Sequence, residues 1–432
     1  MRMLFLLKEW IKHPKLRSCN SQIIDSVTTE ELNDIVQSKI DSLLKHAVTT
    51  VPYYRELANK GIINRSNPRI EQFPILEKKD IRGHEELFVS DNYDINKLEV
   101  SRTSGSTGEP FKFYRNPIEF DSTYADLWRG LARVGIKHGD KRVLIKGIDE
   151  VPNPSLVILL GRWFYEFINQ CILIDAHFLA REQSSVMKSL RRIRRYCPTY
   201  IHGYVSSIDI LAAYAENVGY RMDDIGIKAV VTESEKLYDF QRERISRVFG
   251  CRVVENYGSV EFGMIAQPDV EDNLCINENH CYVETDIDNT AIYTNLDAYA
   301  FPFIRFKNGD IVSLRKQKKS VLPYKEIENV EGRVADTIRL PNGALLQGFI
   351  VMYPISKHMQ YIIAYQIRQE KKDELQILLR IKKSLPKNIV LQIVKEMKDI
   401  VGQNIHVFVK VVEKIPVTKR GKHRFVYSTI KD

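Results

Sequence analysis

The chain has 432 residues, with 64 Lys and Arg against 55 Asp and Glu, for a formal net charge of +9. Its 44% hydrophobic and 28% charged content is that of an ordinary globular protein, and its length suits about two or three domains. No apolar run is long enough to span a bilayer, no cleavable signal pattern opens the chain, and six singly scattered cysteines form no C-x-x-C pair, so reduced thiols in the cytoplasm are expected.

In chain order, Glu31 to Ala47 shows helical spacing of Leu32, Ile35, Val36, Ile40, Leu43 and Leu44, closed by Pro52 and Tyr53. Leu127 to Val134 reads as a helix ended by Gly135, and Val143 to Ile145 as a buried strand. The most apolar stretch, Leu156 to Ile174, is broken by Arg162 and Glu166. Met187 to Tyr196 is helical and carries the basic run Arg191 to Arg195; Tyr200-Ile201 resumes a strand. Phe240 to Phe249 is a helix with Gly250 at its C′ position, followed by the strand Val253-Val254. This helix–strand alternation predicts an α/β core.

From about Asp286 the pattern turns to short strands. Ala291 to Thr294 and Phe303 to Phe306 are β-like, with Asn308-Gly309-Asp310 as the turn. Past Gly332, alternating apolar residues at 363–367, 375–381 and 405–411, with a helix carrying Val390, Val394, Met397 and Val401, predict a small α+β domain.

Five segments carry chemistry. Val100 to Pro110 follows a strand-like run with hydroxyls around two glycines, a backbone nest suited to phosphate oxygens, but without the lysine of a Walker loop. Glu255 to Gly263 runs a strand into a Tyr-Gly turn and presents Glu261, a carboxylate of the kind that holds magnesium alongside phosphate. Arg305 to Asp310 offers an aspartate able to accept ribose hydroxyls. Glu331 to Asp336 sets Gly-Arg at the junction of two architectures, where glycine can absorb a backbone rotation. Pro416 to Arg424 places lysines and arginines in a glycine-bearing loop. Each has a plain alternative as linker, packed turn, hairpin or solvated basic tail. Cys275, His280 and Cys281 lie close together but lack further spaced metal ligands.

The order of the five segments resembles the successive signatures of AMP-forming, adenylate-forming enzymes. It is most similar to the branch of phenylacetate–CoA ligases and ligase-like proteins of capsular polysaccharide biosynthesis. Val51-Pro-Tyr-Tyr-Arg55, Phe73 to Asp80 and Ala300 to Arg305 support that branch, and the resemblance runs from about residue 35 to 426. It implies a large N-terminal α/β adenylation domain with a small β region (1–331) and a small mobile α+β C-terminal domain (332–432). Thr103, Ser104, Gly105, Ser106, Thr107 and Gly108 would hold the ATP phosphates. Thr232 to Lys236, with Ser234 and Glu235, would line the adenine. Tyr257 would stack on it beside Gly258, Glu261 would bind Mg²⁺, Asp310 would grip the ribose with Arg333 nearby, and Lys422 would reach the α-phosphate. The implied activity is ATP-dependent activation of a carboxylic acid through an acyl-adenylate, with pyrophosphate release. Acyl transfer to coenzyme A or an amine follows, in surface polysaccharide assembly.

Two departures stand out. Ala335 replaces the first of two acidic residues after Gly332-Arg333, the usual pivot, while Asp336 keeps the second; and Gln317 to Glu331 lacks the cysteines of some phenylacetate ligases. The acid, the acceptor and the oligomeric state stay open. His202-Gly-Tyr-Val-Ser206 and Gly258-Ser259 are expected beside the acyl pocket by resemblance, with packed His202 and Tyr204 as the plain alternative. A nucleotide-binding homologue without catalysis is a second reading, opposed by the retained Glu261, Asp310 and Lys422. A basic nucleic-acid binder is a third, opposed by the absence of aromatics interleaved with the basic runs.

Overall fold

A computed structural model of the chain describes residues 2–13, 25–102, 111–116, 119–147, 155–176, 179, 183–333, 338–341, 345–346, 348–359, 361–417 and 423–430. The fold is mixed α/β, and the chain packs into two units, Met1–Gly139 with Val254–Val330 and Asp140–Val253 with Glu331–Asp432.

In the first unit the helix Thr29–Thr50 begins in a capping box, Thr28 accepting from the Glu31 N–H and Glu31 reaching back. Its Leu32, Val36, Ile40, Leu43 and Leu44 are buried, the stripe read from the sequence. The helix ends at Thr50, just before Pro52 as expected, and Pro52 also starts a second helix, Pro52–Asn59, at the position where a missing N–H costs nothing. Strands Glu99–Arg102 and Lys112–Arg115 pair antiparallel, Glu99 opposite Arg115 and Arg102 opposite Lys112. A seven-stranded sheet runs in the order Cys281–Thr285, Thr290–Asn295, Phe306–Leu314, Glu326–Arg333, Leu274–Ile276, Gly263–Pro268, Tyr257–Ser259. Phe111, Phe113, Phe262, Phe301, Phe303 and Phe306 interlock in its core.

The Asn308-Gly309-Asp310 turn is a correction. Those residues lie inside the continuous strand Phe306–Leu314. Pairing passes from Ile292↔Lys307 to Thr290↔Ile311, two positions on one strand against four on the other, so the segment bulges out of the ladder. Gly309 takes φ +87°, and the Asn308 side chain accepts the Asp310 N–H at 2.9 Å, which closes the bulge locally. Turn chemistry is thus present without a reversal of the chain.

The second unit holds a five-stranded sheet ordered Cys171–Asp175, Arg142–Lys146, Tyr200–Tyr204, Ala229–Glu233, Arg252–Glu255. The first four strands pair parallel. Tyr200–Tyr204 is buried at every position, as expected of a strand covered on both faces. Asp239–Phe249 ends at Gly250 in the left-handed region, φ +65°. The same unit contains a four-stranded sheet, His406–Val411, Glu374–Ile381, Ile362–Lys371, Val426–Ser428. The buried face of Lys387–Val401, with Ile393, Met397 and Val401, packs on it. Tyr238 and Phe240 join that core, and Tyr238 meets the Phe425 ring edge-on at 5.4 Å. Among the described residues no helix is long and apolar enough to cross a membrane.

Candidate active site

Glu261 sits at the tip of an antiparallel hairpin, Tyr257–Ser259 against Gly263–Pro268. Two glycines make the hairpin tight. A Cβ on Gly258 would lie 2.2 Å from the Gly263 carbonyl oxygen, and one on Gly263, at φ +67°, would strike the Thr123 side chain at 2.1 Å. Phe262 anchors the tip in the aromatic core, with Tyr293, Phe303 and Phe306 around it. Its neighbour Glu261 then faces a pocket lined by Phe113, Arg115, Glu119, Thr123, Phe301 and Phe303, among others. Glu261 is buried and Lys78 Nζ stands 2.8 Å from its Oε1. Burial lowers the Arg115 guanidinium to about 10, against the pull of Glu261. Burial also raises the Glu119 carboxyl to about 7, although the Tyr299 and Ala300 N–H groups donate to it at 2.9 and 2.8 Å. The pocket therefore sets the carboxyls of Glu261 and Glu119 beside the Arg115 guanidinium, with Lys78 ion-paired to Glu261.

Asp310, carried out of the ladder by the bulge, is also buried. Tyr257 donates its hydroxyl to Asp310 Oδ2 at 2.8 Å, and Asn308 Nδ2 donates to the same oxygen at 2.8 Å. Tyr257 also meets the Tyr293 hydroxyl. Its ring belongs to the core, with 8% of the residue exposed. Burial beside Asp310 pushes its phenol well above the usual range, so it stays a donor. The structure thus brings Tyr257 and Asp310 into one hydrogen-bonded pair.

Ser234 and Glu235 lie in the second unit, in the turn after strand Ala229–Glu233. Ser234 has φ +70°, a left-handed conformation that costs a non-glycine residue about 1–2 kcal/mol. The turn sends its two flanking carboxylates to different partners. Glu233 faces His202 Nε2 at 2.9 Å and Lys146 Nζ at 3.3 Å. Burial opposes its charge, but these two groups win and hold the carboxyl well below its ordinary value. Glu235 accepts the Ser206 N–H at 2.7 Å and the Ser206 hydroxyl at 3.0 Å, at the N-terminus of helix Val205–Val218, where the helix dipole favours an anion. It also accepts the His423 backbone N–H at 2.9 Å. His423 donates from its ring to the Tyr365 carbonyl at 2.8 Å, and desolvation drops its pKa to about 4.

Thr103, Ser104, Gly105, Ser106, Thr107, Gly108 and Lys422 lie outside the described residues. The chain enters the first segment from Arg102 and leaves it toward Lys112, which are opposite each other in the hairpin. Val417 and His423 pair antiparallel on either side of the second. Arg333 ends strand Glu326–Arg333, and its side chain is outside the described residues. Lys78, Arg115, Glu119 and Lys146 were not anticipated as site residues. Lys78 falls in the quoted segment Phe73 to Asp80, but a single lysine beside a second, Lys79, gives no sign of which one turns inward. His280 spends both ring nitrogens, on Asp297 at 2.9 Å and on the Phe262 carbonyl at 2.7 Å. Among the described residues no cluster of three or more His, Cys, Asp or Glu is arranged to hold a metal ion. Magnesium coordinated largely by phosphate and water needs only one or two carboxylates. Glu261, buried on a pocket wall beside cations, meets that requirement.

Residues 341–429 match the model of the CapK C-terminal domain family. Over nearly the whole chain the protein is similar to Protein CapK of Staphylococcus aureus: 24% identical over 443 residues, 99% of this chain and 95% of the relative. Among solved structures it resembles 2-hydroxyisobutyryl-CoA ligase in the postadenylation state with R3-HIB-AMP, at a TM-score of 0.74 and 16% identity over 96% of this chain and 92% of the other. An anthranilate CoA ligase in complex with anthranoyl-AMP follows at 0.53 and 12% identity, over 78% and 67%.

The chain has the fold of the 2-hydroxyisobutyryl-CoA ligase.

Lys146 and Glu233 stand at the C-terminal ends of their parallel strands, and His202 in the middle of Tyr200–Tyr204.

Proposed function

We propose that the protein activates a carboxylic acid with ATP, forming an acyl-adenylate and releasing pyrophosphate, and then passes the acyl group to coenzyme A or an amine. The proposed setting is the cytoplasm, during assembly of a surface or capsular polysaccharide. The observation that carries the reading is Glu261, a buried carboxylate presented on a glycine-tightened hairpin beside Lys78 and Arg115. In an adenylate-forming fold, with a CapK-type relative over its length, that is the carboxylate a nucleotide-bound magnesium would use.

Magnesium bound with ATP supplies positive charge to the phosphate oxygens as negative charge develops there. Glu261 would hold it, and Lys78 keeps this buried carboxylate charged before the nucleotide arrives. Asp310 accepts the ribose hydroxyls, oriented by the donors Tyr257 and Asn308. Tyr257, Gly258, Ser234 and Glu235 belong to the adenine side, Arg333 to the ribose, and Thr103 to Gly108 to the phosphates. Lys422 contributes its ammonium to the α-phosphate, and the C-terminal residues from 332 onward form the mobile part. ATP–pyrophosphate exchange across aryl, fatty, amino and sugar acids tests this. Exchange with at least one acid is expected, falling about 10²–10³-fold in Lys422→Ala while nucleotide binding persists. Unchanged exchange in that variant overturns the role of Lys422, and no exchange with any acid overturns the activity.

A further inference from the structure

Helix Leu156–Ile168 is the most unusual element of the second unit. It is apolar all round, with only Arg162 and Glu166 charged, and none of its residues is buried. Leu156, Val157 and Trp163 are 72%, 78% and 61% exposed, and Leu160, Phe164 and Phe167 stand out beside them. A helix of this composition belongs in a protein core or in lipid. Its 13 residues reach about 20 Å, short of the roughly 30 Å of a bilayer's hydrocarbon. Such a helix can lie in a membrane surface but cannot span it.

The neighbouring helix Gln183–Tyr196 supplies charge. It carries Lys188, Arg191, Arg192, Arg194 and Arg195 and no acidic residue. Two of these are spent within the fold: Arg192 pairs with Glu166 at 2.6 Å, and Arg194 pairs with Asp224 at 2.6 Å. The Arg192–Glu166 pair ties the two helices together. Lys188, Arg191 and Arg195 remain exposed, with no ion-pair partner among the described residues. The apolar helix and the unspent cations thus share one tied pair of helices.

We propose that this pair docks the protein onto an anionic lipid bilayer, Leu156–Ile168 entering the headgroup boundary while Lys188, Arg191 and Arg195 meet lipid phosphates. Two features favour a bilayer over a second copy of the chain. A helix–helix contact in a dimer buries one stripe and leaves the other faces wet, whereas lipid covers apolar side chains on every submerged side. The aromatic share of the helix, Trp163, Phe164, Tyr165 and Phe167, is the composition that settles at a membrane–water boundary. Each basic residue near an anionic surface adds about 1 kcal/mol, so three give roughly a hundredfold preference over a neutral surface.

The test is flotation of the full chain with vesicles of phosphatidylcholine alone or with 30% phosphatidylglycerol. The wild type is expected to float with anionic vesicles in ~50 mM salt and to be released at ~500 mM. Leu159→Glu with Trp163→Glu is expected to abolish flotation, and Arg191→Glu with Arg195→Glu to reduce it at least tenfold. Circular dichroism checks that each variant is folded; if the helix pair fails to fold, Trp163→Ser alone is scored in its place. Absence of wild-type flotation, equal flotation on neutral vesicles, or flotation unchanged by both sets of substitutions overturns the proposal. So does a wild-type dimer in sedimentation that the helix substitutions turn into monomer without any lipid binding. Pyrophosphate exchange in solution is a separate readout, so failure here leaves the proposed ligase activity standing.

Discussion

At the residue scale, the contact that matters most is between Glu261 and Lys78. A buried carboxylate needs a partner to stay ionised, and the 2.8 Å ammonium supplies it. Glu261→Gln keeps the shape of the hairpin tip and removes the charge. Pyrophosphate exchange is expected to fall about 10²–10³-fold, and a magnesium titration should need markedly more metal for half-maximal rate. A variant with the wild-type magnesium curve would show that Glu261 is not the metal ligand. None of this pairing is visible in the sequence, because it joins a lysine near residue 80 to a hairpin tip near residue 260. What is visible is local: the glycines on either side of Glu261 and the apolar Phe262 that pins it. The expected Tyr-Gly turn is instead part of strand Tyr257–Ser259, and the reversal falls at Val260 to Phe262 because Gly258 is needed where the two strands approach closely.

At the element scale, the turn Glu233–Ser234–Glu235 fastens helix Val205–Val218 and the backbone at His423 to the same carboxylate. Glu235→Ala leaves the Ser206 and His423 amides without that acceptor. Loss of about 1 kcal/mol of local protection corresponds to about fivefold faster exchange of the His423 amide. Hydrogen exchange read residue by residue checks it; identical protection in the variant would mean that other contacts hold the segment. The secondary structure around this turn was legible. Gly250 ended its helix in the left-handed region as its position implied, and fully apolar runs became parallel strands. The Asn-Gly-Asp segment misled because its residues suit a reversal and a bulge equally well. The ladder partners that decide between them, Thr290 and Ile292, lie on another strand.

For the whole molecule, stability against pH is a sum over groups whose protonation differs between folded and unfolded chains. The part-buried His423 has its folded pKa lowered to about 4 by desolvation, below the ordinary 6.5. Above about pH 6.5 both states hold it neutral and it has no effect. Between about 6.5 and 4 the unfolded chain takes up the proton first, so stability falls with pH, by on the order of 3 kcal/mol. His280 has the opposite sign. Asp297 raises its pKa despite burial, so its contribution is present below about 6.5 and is lost as pH rises through the raised value. Urea unfolding at pH 7, 5.5 and 4.5 is expected to show His423→Gln gaining on the wild type as pH falls, His280 being common to both. Parallel curves would remove His423 from the account. The strands and helix past residue 332 were readable from the change in periodicity there. The actual packing units were not, since Val254–Val330 groups with the N-terminal residues through contacts that no local pattern announces.

The rim of the parallel sheet has a further effect. Strand Cys171–Asp175 is outermost, and an outermost strand usually offers a row of bare peptide groups to any passing chain. Here the outward N–H of Leu173 donates to Glu166 at 2.9 Å, and its carbonyl is taken twice, by Arg162 at 2.9 Å and Arg192 at 2.8 Å. Side chains thus seal the centre of this border and leave little for a foreign strand to zip onto. This border is therefore a poor template for edge-on growth even where an oily helix lies alongside it.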